Sequence, residues 1–231
     1  MTREFDVYNA KIMLFGEYSV IYDSMGLSVP YTHFRGELGF YTEDRYTDYD
    51  FATRSNKMLK KYIDHLGELN STKKLIYRLD LDTIQQDLDK GLYFESTIPQ
   101  GYGLGSSGAL VAAIYNAYST DKITLRKNIS SRNISRLKTI FSQLESYFHG
   151  TSSGIDPLLC YLKSPILIKN KAEITITDIP THNIATNRAI FLINTGKAGK
   201  TEPLVKQFMK QCEKPDFNSL VHDCLLYTSD A

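Results

Sequence analysis

The chain has 231 residues, 42% of them hydrophobic and 23% charged, enough apolar material for one large core or two small ones. A formal charge of +1 gives no general attraction to nucleic acid or an anionic membrane surface, and the Lys60-Lys61 and Lys73-Lys74 pairs read as solvated faces. Met1-Thr-Arg-Glu-Phe-Asp6 has no apolar signal core, no apolar run is long enough to cross a bilayer, and Cys160, Cys212 and Cys224 lack metal-ligand spacing. The expectation is a cytoplasmic protein with reduced thiols.

The beginning reads as β structure: residues 5–14 and 19–22 are rich in β-branched and aromatic side chains, and 33–42 alternate with glycines. Residues 51–66 place Phe51, Met58, Leu59, Tyr62, Ile63 and Leu66 on a helical stripe, followed by a polar turn over 67–73. A strand is predicted over 75–79, a short helix over 81–88, and a strand over 92–98. A helix over 110–120 comes next, then an amphipathic one over 136–148 with Leu137, Ile140, Phe141, Leu144 and Phe148 on one face. Gly154-Ile-Asp-Pro157 looks like a helix start with proline in its first turn, continuing over 158–162. Strands are predicted at 165–168, 173–178 and 188–194, and helices at 202–212 and 216–226. Residues 180–187 are the best linker candidate, and 226–231 do not extend the preceding helical pattern.

Between the strand at 92–98 and the helix after it lies Pro99-Gln-Gly-Tyr-Gly-Leu-Gly-Ser-Ser-Gly-Ala-Leu110. Gly101, Gly103, Gly105 and Gly108 permit positive φ and let an anion approach the backbone without meeting a Cβ. Ser106 and Ser107 sit where a helix should begin, so free amides and the positive dipole end face the loop. That composes a phosphate cradle, and equally a serine-capped turn. No lysine follows Gly105 or Gly108, which excludes a Walker loop. The match of Gly103-Leu-Gly-Ser-Ser-Gly108 to the dinucleotide fingerprint is weak, because Pro99 breaks the approach and Asp121 precedes the next possible strand at 122–125.

Two further segments accompany the loop: Lys11-Ile-Met-Leu-Phe-Gly-Glu-Tyr-Ser-Val20 with Leu27-Ser-Val-Pro30, and Glu145-Ser-Tyr-Phe-His-Gly-Thr-Ser-Ser-Gly-Ile-Asp156. In this order the three resemble the motifs of the GHMP kinases, small-molecule kinases, and the last segment is similar to their mevalonate kinase branch. The resemblance spans residues 11 to about 194. It implies an α+β chain: a ribosomal-protein-S5-domain-2-like α/β domain over 1–182, then the start of an incomplete ferredoxin-like C-terminal domain over 183–231. The family's second glycine-rich segment is absent before Ala231, which implies a chain cut short, inactive in this form and with apolar surface exposed.

The implied activity is ATP- and Mg²⁺-dependent phosphoryl transfer to the hydroxyl of a small metabolite, mevalonate first, with phosphomevalonate as the alternative. A nucleotide or metabolite sensor without turnover is the reading from another class. By resemblance, Asp156 accepts or orients the hydroxyl proton and Lys11 pairs with it; alone, the first would be a helix-start carboxylate and the second an exposed strand-end lysine. Ser107 and Glu145 correspond to Mg²⁺ ligands, against an N-cap and a polar helix position. Gly101, Gly103, Leu104, Gly105, Ser106, Ser107 and Gly108 would contact ATP, and Glu17 and Tyr18, with Lys11 and Asp156, the substrate. Tyr18 stands where mevalonate kinases commonly have histidine, and Gly16-Glu-Tyr18 is closer to the phosphomevalonate kinase version. Arg35, Lys197 and Lys200 are cations available to a phosphorylated substrate, and His149, at a helix end, receives no catalytic role. Neither nucleic acid nor membrane is an expected partner, and a homodimer is kept open.

Overall fold

The structure is a computed structural model that describes residues 4–22, 24–41, 48–125, 129–178, 191–194, 196–199 and 201–229. Among the described residues, five antiparallel strands form one sheet, β1 (Tyr8–Phe15), β2 (Gly26–Phe40), β3 (Leu92–Ser96), β4 (Ile166–Ile168) and β5 (Ile174–Ile176), in the order β1-β2-β4-β5 with β3 also paired to β2. The 15-residue β2 is the axis of the sheet. It runs beside β1 from Leu27↔Phe15 to Gly36↔Tyr8, takes β4 along its first residues (Gly26↔Ile168), and takes β3 along its last (Phe40↔Leu92).

Five helices pack with this sheet: α1 (Tyr49–Ser71), α2 (Leu81–Asp89), α3 (Ser106–Tyr118), α4 (Ser131–His149) and α5 (Ile155–Leu162). Asp48 caps α1 by accepting the Phe51 amide, and Ala52, Ser55, Asn56, Leu59, Tyr62, Ile63 and Leu66 make its buried face at helical spacing. Two polar residues on that face satisfy backbone groups of β3 and the end of α2 instead of weakening the core. Ser55 Oγ both donates to Phe94 O and accepts from Phe94 N, and Asn56 Nδ2 donates to Leu88 O and Leu92 O. Helix α3 is buried nearly all round, from Gly108 to Tyr115 and at Tyr118, and lies against β1, β2, α4 and α5. It is the centre of the molecule, so whatever its first turn holds is held rigidly.

Residues 19–22 form a one-turn 3-10 helix, not the strand their β-branched composition suggests. Gly16, at φ +89°, turns the chain so tightly that a Cβ would lie 2.6 Å from Met25 O, and four residues must then reverse direction into β2. Helix α1 continues past Leu66 to Ser71, because Leu69 packs on the core and the Ser71 and Thr72 hydroxyls donate to Glu68 O at the end. The predicted strand at 75–79 has only a bridge from Leu79 to Ser119. The side-chain amide of Gln143 accepts from Ile76 N and donates to Lys74 O, doing what a neighbouring strand would. Residues 122–125 and 191–194 are not strand; residues 188–190 and the linker candidate at 180–187 lie outside those described.

At the C-terminal end, α6 (Thr201–Cys212) and α7 (Pro215–Ser229) pack on each other through Phe208 and Phe217, and α7 carries on through residues 226–229. Phe15, Phe191, Ile193 and Leu220 are strongly exposed. Among the described residues, no helix is long and apolar enough to cross a membrane.

Candidate active site

The glycine loop is fastened to β1 where the Lys11 amide donates to Leu104 O at 2.9 Å. Beside it Gly105 takes φ +76° and serves as the N-cap of α3, with no side chain capping that helix. A Cβ on Gly105 would lie 2.7 Å from Lys11 Cγ, so the missing side chain is what lets the lysine pass beneath the loop. Ser106 therefore stands inside the helix and is not its cap. A Cβ on Gly103 would meet nothing within 4 Å, and that stretch of backbone is open to a ligand. Gly101 differs, because its carbonyl accepts the Gly199 amide at 2.8 Å and Ala198 lies over it.

The first turn of α3 crosses that of α5. A Cβ on Gly108 would approach Asp156 C and Pro157 N to 2.8 Å, so glycine permits the close crossing. Helix α5 begins at the left-handed Gly154 with no side-chain cap, and Pro157 occupies its first turn as expected. Its Asp156 carboxylate meets Lys11 Nζ at 3.1 Å, the aspartate side chain 32% exposed and the lysine side chain 5%. Burial works against the Lys11 charge, but Asp156 and then Glu17 outweigh it, and the ammonium stays above its ordinary pKa.

On the α4 side, Glu145 is a buried carboxylate. Its Oε1 accepts from Ser107 Oγ at 2.9 Å, and its Oε2 accepts from Ser152 Oγ at 2.5 Å. Burial, with the Asp156 charge second, pushes its carboxyl up to about 7 against the pull of those two hydroxyls and Lys11. His149 Nε2 lies 2.9 Å from the same Ser107 Oγ. Lys11, Gly105, Ser107, Gly108, Glu145 and Asp156 thus form one contiguous cluster on β1, α3, α4 and α5. Glu17 reaches it through its field on Lys11, whereas the Tyr18 ring stacks on Phe208 of α6, centroids 5.5 Å apart. Arg35 stands opposite Asn9 in the sheet, and Lys200 lies outside the described residues.

Sequence reasoning left out Ser152 and gave His149 no role. Serine in a Thr-Ser-Ser-Gly turn looks like any turn former, and the histidine's helix-end position explained it without a partner.

The site can hold a polyphosphate along the open backbone at Gly103 and the uncapped start of α3. Ser107 and Glu145 offer adjacent hard oxygens, and a dication there would offset the burial cost of the carboxylate. Among the described residues there is no group of three or more His, Cys, Asp or Glu suited to a metal, so such a cation would take its remaining ligands from phosphate oxygens and water.

Residues 66–164 match the family model described as "GHMP kinases N terminal domain". The chain is 26% identical to the mevalonate kinases of Pyrococcus horikoshii and Pyrococcus abyssi, over 89% of its own length and 61% of theirs. Its fold is similar to that of the Methanococcus jannaschii mevalonate kinase, with a TM-score of 0.53 at 16% identity, covering 99% of this chain and 72% of that one. The L. major mevalonate kinase, solved in complex with R-mevalonate, gives 0.51 at 17% identity, covering 99% and 68%. The chain thus spans about three fifths of the curated relatives it matches, and its residues 66–164 are similar to the N-terminal domain of the GHMP kinases.

Proposed function

We propose that this chain supplies the ATP- and alcohol-binding part of a cytoplasmic small-molecule kinase that phosphorylates mevalonate to 5-phosphomevalonate. The observation that supports it most is the 3.1 Å contact between buried Lys11 and partly exposed Asp156, placed at the crossing of two helix starts beside the glycine loop. Phosphoryl transfer needs positioning and charge stabilisation more than covalent chemistry from the protein, and this cluster has the parts for both.

Asp156 accepts the proton of the substrate hydroxyl as the oxygen attacks, and the exposed part of its carboxylate is where that hydroxyl approaches. The Lys11 ammonium, fixed beneath the loop, holds the Asp156 carboxylate in position and lies beside the developing charge. The backbone from Gly103 to Ser107 lines up the phosphates with the dipole of α3. Ser107 and Glu145 are the residues that would hold Mg²⁺, which when bound neutralises charge on the transferring phosphate.

Gly16-Glu17-Tyr18 favours a second substrate, phosphomevalonate, because its tyrosine replaces the histidine of the mevalonate kinase version. The test is to assay the full-length protein with both alcohols and Mg²⁺·ATP in parallel. Turnover of mevalonate at the higher kcat/KM is expected. Preference for phosphomevalonate would move the assignment to the second substrate, and ATP binding without transfer to either would support a sensor instead.

A further inference from the structure

We infer that His149 is a positioning residue for the metal-binding hydroxyl: its Nε2, in hydrogen-bond contact with Ser107 Oγ, holds that oxygen in place together with Glu145. This rests on the kinase reading above, in which Ser107 and Glu145 hold Mg²⁺. On one side Ser107 Oγ donates to Glu145 Oε1 at 2.9 Å. The histidine contact, also 2.9 Å, ties the same oxygen to the end of α4. Ser107 Oγ is thus held by hydrogen bonds to two side chains of α4.

The neighbours themselves are anchored. Glu145 is held at its second oxygen by Ser152, whose own hydroxyl accepts the Gly154 amide at 3.0 Å. His149 sits on the last residue of α4, where Gly150, at φ +73°, ends the helix by donating its amide to Ser146 O at 2.7 Å. The helix therefore presents a carboxylate at 145 and an imidazole at 149, one turn apart, to the same hydroxyl of α3. Rotation of Ser107 about χ1 has to break two hydrogen bonds where Glu145 alone would supply one.

The readout is metal binding, measured on the full-length protein by Mn²⁺ titration followed by electron paramagnetic resonance in the presence of a non-hydrolysable ATP analogue. His149→Ala is expected to weaken Mn²⁺ binding about tenfold, the scale of losing an outer partner of a metal ligand. His149→Gln, whose amide N–H reaches to a similar distance, should return it to within about twofold. In a Ser107→Ala background, His149→Ala should add nothing, because its target is gone. Wild-type affinity in His149→Ala when Ser107→Ala weakens binding would overturn the inference and leave the kinase reading standing. Failure of His149→Gln to rescue, or a further loss in the double variant, would also overturn it. No Mn²⁺–nucleotide binding by the wild type would sink both.

Discussion

The cluster around α3 and the C-terminal pair α6–α7 are built differently. Around α3, every chemical group is pinned by at least two neighbours: Lys11 by Leu104 and Asp156, Glu145 by Ser107 and Ser152, and Asp156 by the tight passage at Gly108. At the C-terminal end, α6 and α7 lie on each other, and Leu204, Met209 and Leu220 face outward. Their ties to the rest include the Phe208 rings with Tyr18 and Tyr22 and the Gly199–Gly101 hydrogen bond. The rigid region carries the groups that need sub-ångström placement, and the loosely tied one touches its edge. Substitutions should therefore be costly in chemistry and folding at the first and mild at the second.

The largest effect should come from Asp156→Asn, which keeps the shape and a hydrogen-bond acceptor for Lys11 but cannot take a proton. We expect kcat of the full-length kinase to fall about a thousandfold. The affinity for an ATP analogue should stay within about threefold, since the loop backbone is untouched. Steady-state kinetics and calorimetry read the two quantities separately. A small change in kcat would take Asp156 out of the proton-accepting role.

Folding gives the next contrast, through two glycines with φ +72°. At Gly154 an added Cβ would overlap Lys138 O and come within 2.7 Å of Ser142 N, whereas at Gly196 it would meet nothing within 4 Å. Gly154→Ala should cost about 3 kcal/mol, backbone strain plus steric overlap, and Gly196→Ala about 1 kcal/mol from strain alone. Urea denaturation of both variants checks the difference; equal costs would mean that the α4–α5 junction yields more than its packing implies.

Glu145 makes the same comparison with pH. Its folded pKa of about 7 lies above the ordinary 4.5, so the folded state resists its ionisation. Below about 4.5 both states are protonated and no penalty exists; the penalty grows as pH rises and is complete above 7. In metal-free protein it amounts to about 3 kcal/mol at its full extent. Denaturation with chelator should show Glu145→Gln gaining on the wild type between pH 4.5 and 7.5, and parallel curves would contradict the burial penalty.

Residues whose backbone must do something unusual were the most legible in sequence. Gly101, Gly103 and Gly105 all adopt the positive φ that their spacing suggested, because no other residue takes it without strain. The strand at 5–14 was recognisable from its β-branched and aromatic content, and the strand at 92–98 and the helix at 81–88 from their apolar pattern. Lys11 and Asp156, 145 residues apart in the numbering, could be linked only through a family pattern, since neither has a local signature. What stayed hidden depended on one distant side chain. Gln143 replaces a strand partner for residues 74–76, and Ser152 and His149 acquire their roles only when α4 is laid against α3. Composition over a window holds no record of such partners.

The smallest expected effect tests the looser region. Phe208 is partly buried, stacks on Tyr18 with an interplanar angle of 27°, and meets the edges of Tyr22 and Phe217. Each ring pair contributes about 0.5–1.5 kcal/mol beyond area burial, but these three share one ring and are only half dry, so Phe208→Ala should cost about 1 kcal/mol of local stability. Global unfolding ought to shift little, because the core residues of α3 and α4 make no use of this ring. Amide exchange should instead speed up over residues 201–212 while α3 stays protected. If α3 loosened equally, Phe208 would be part of the frame that places the glycine loop, and the division drawn between the two regions would fall.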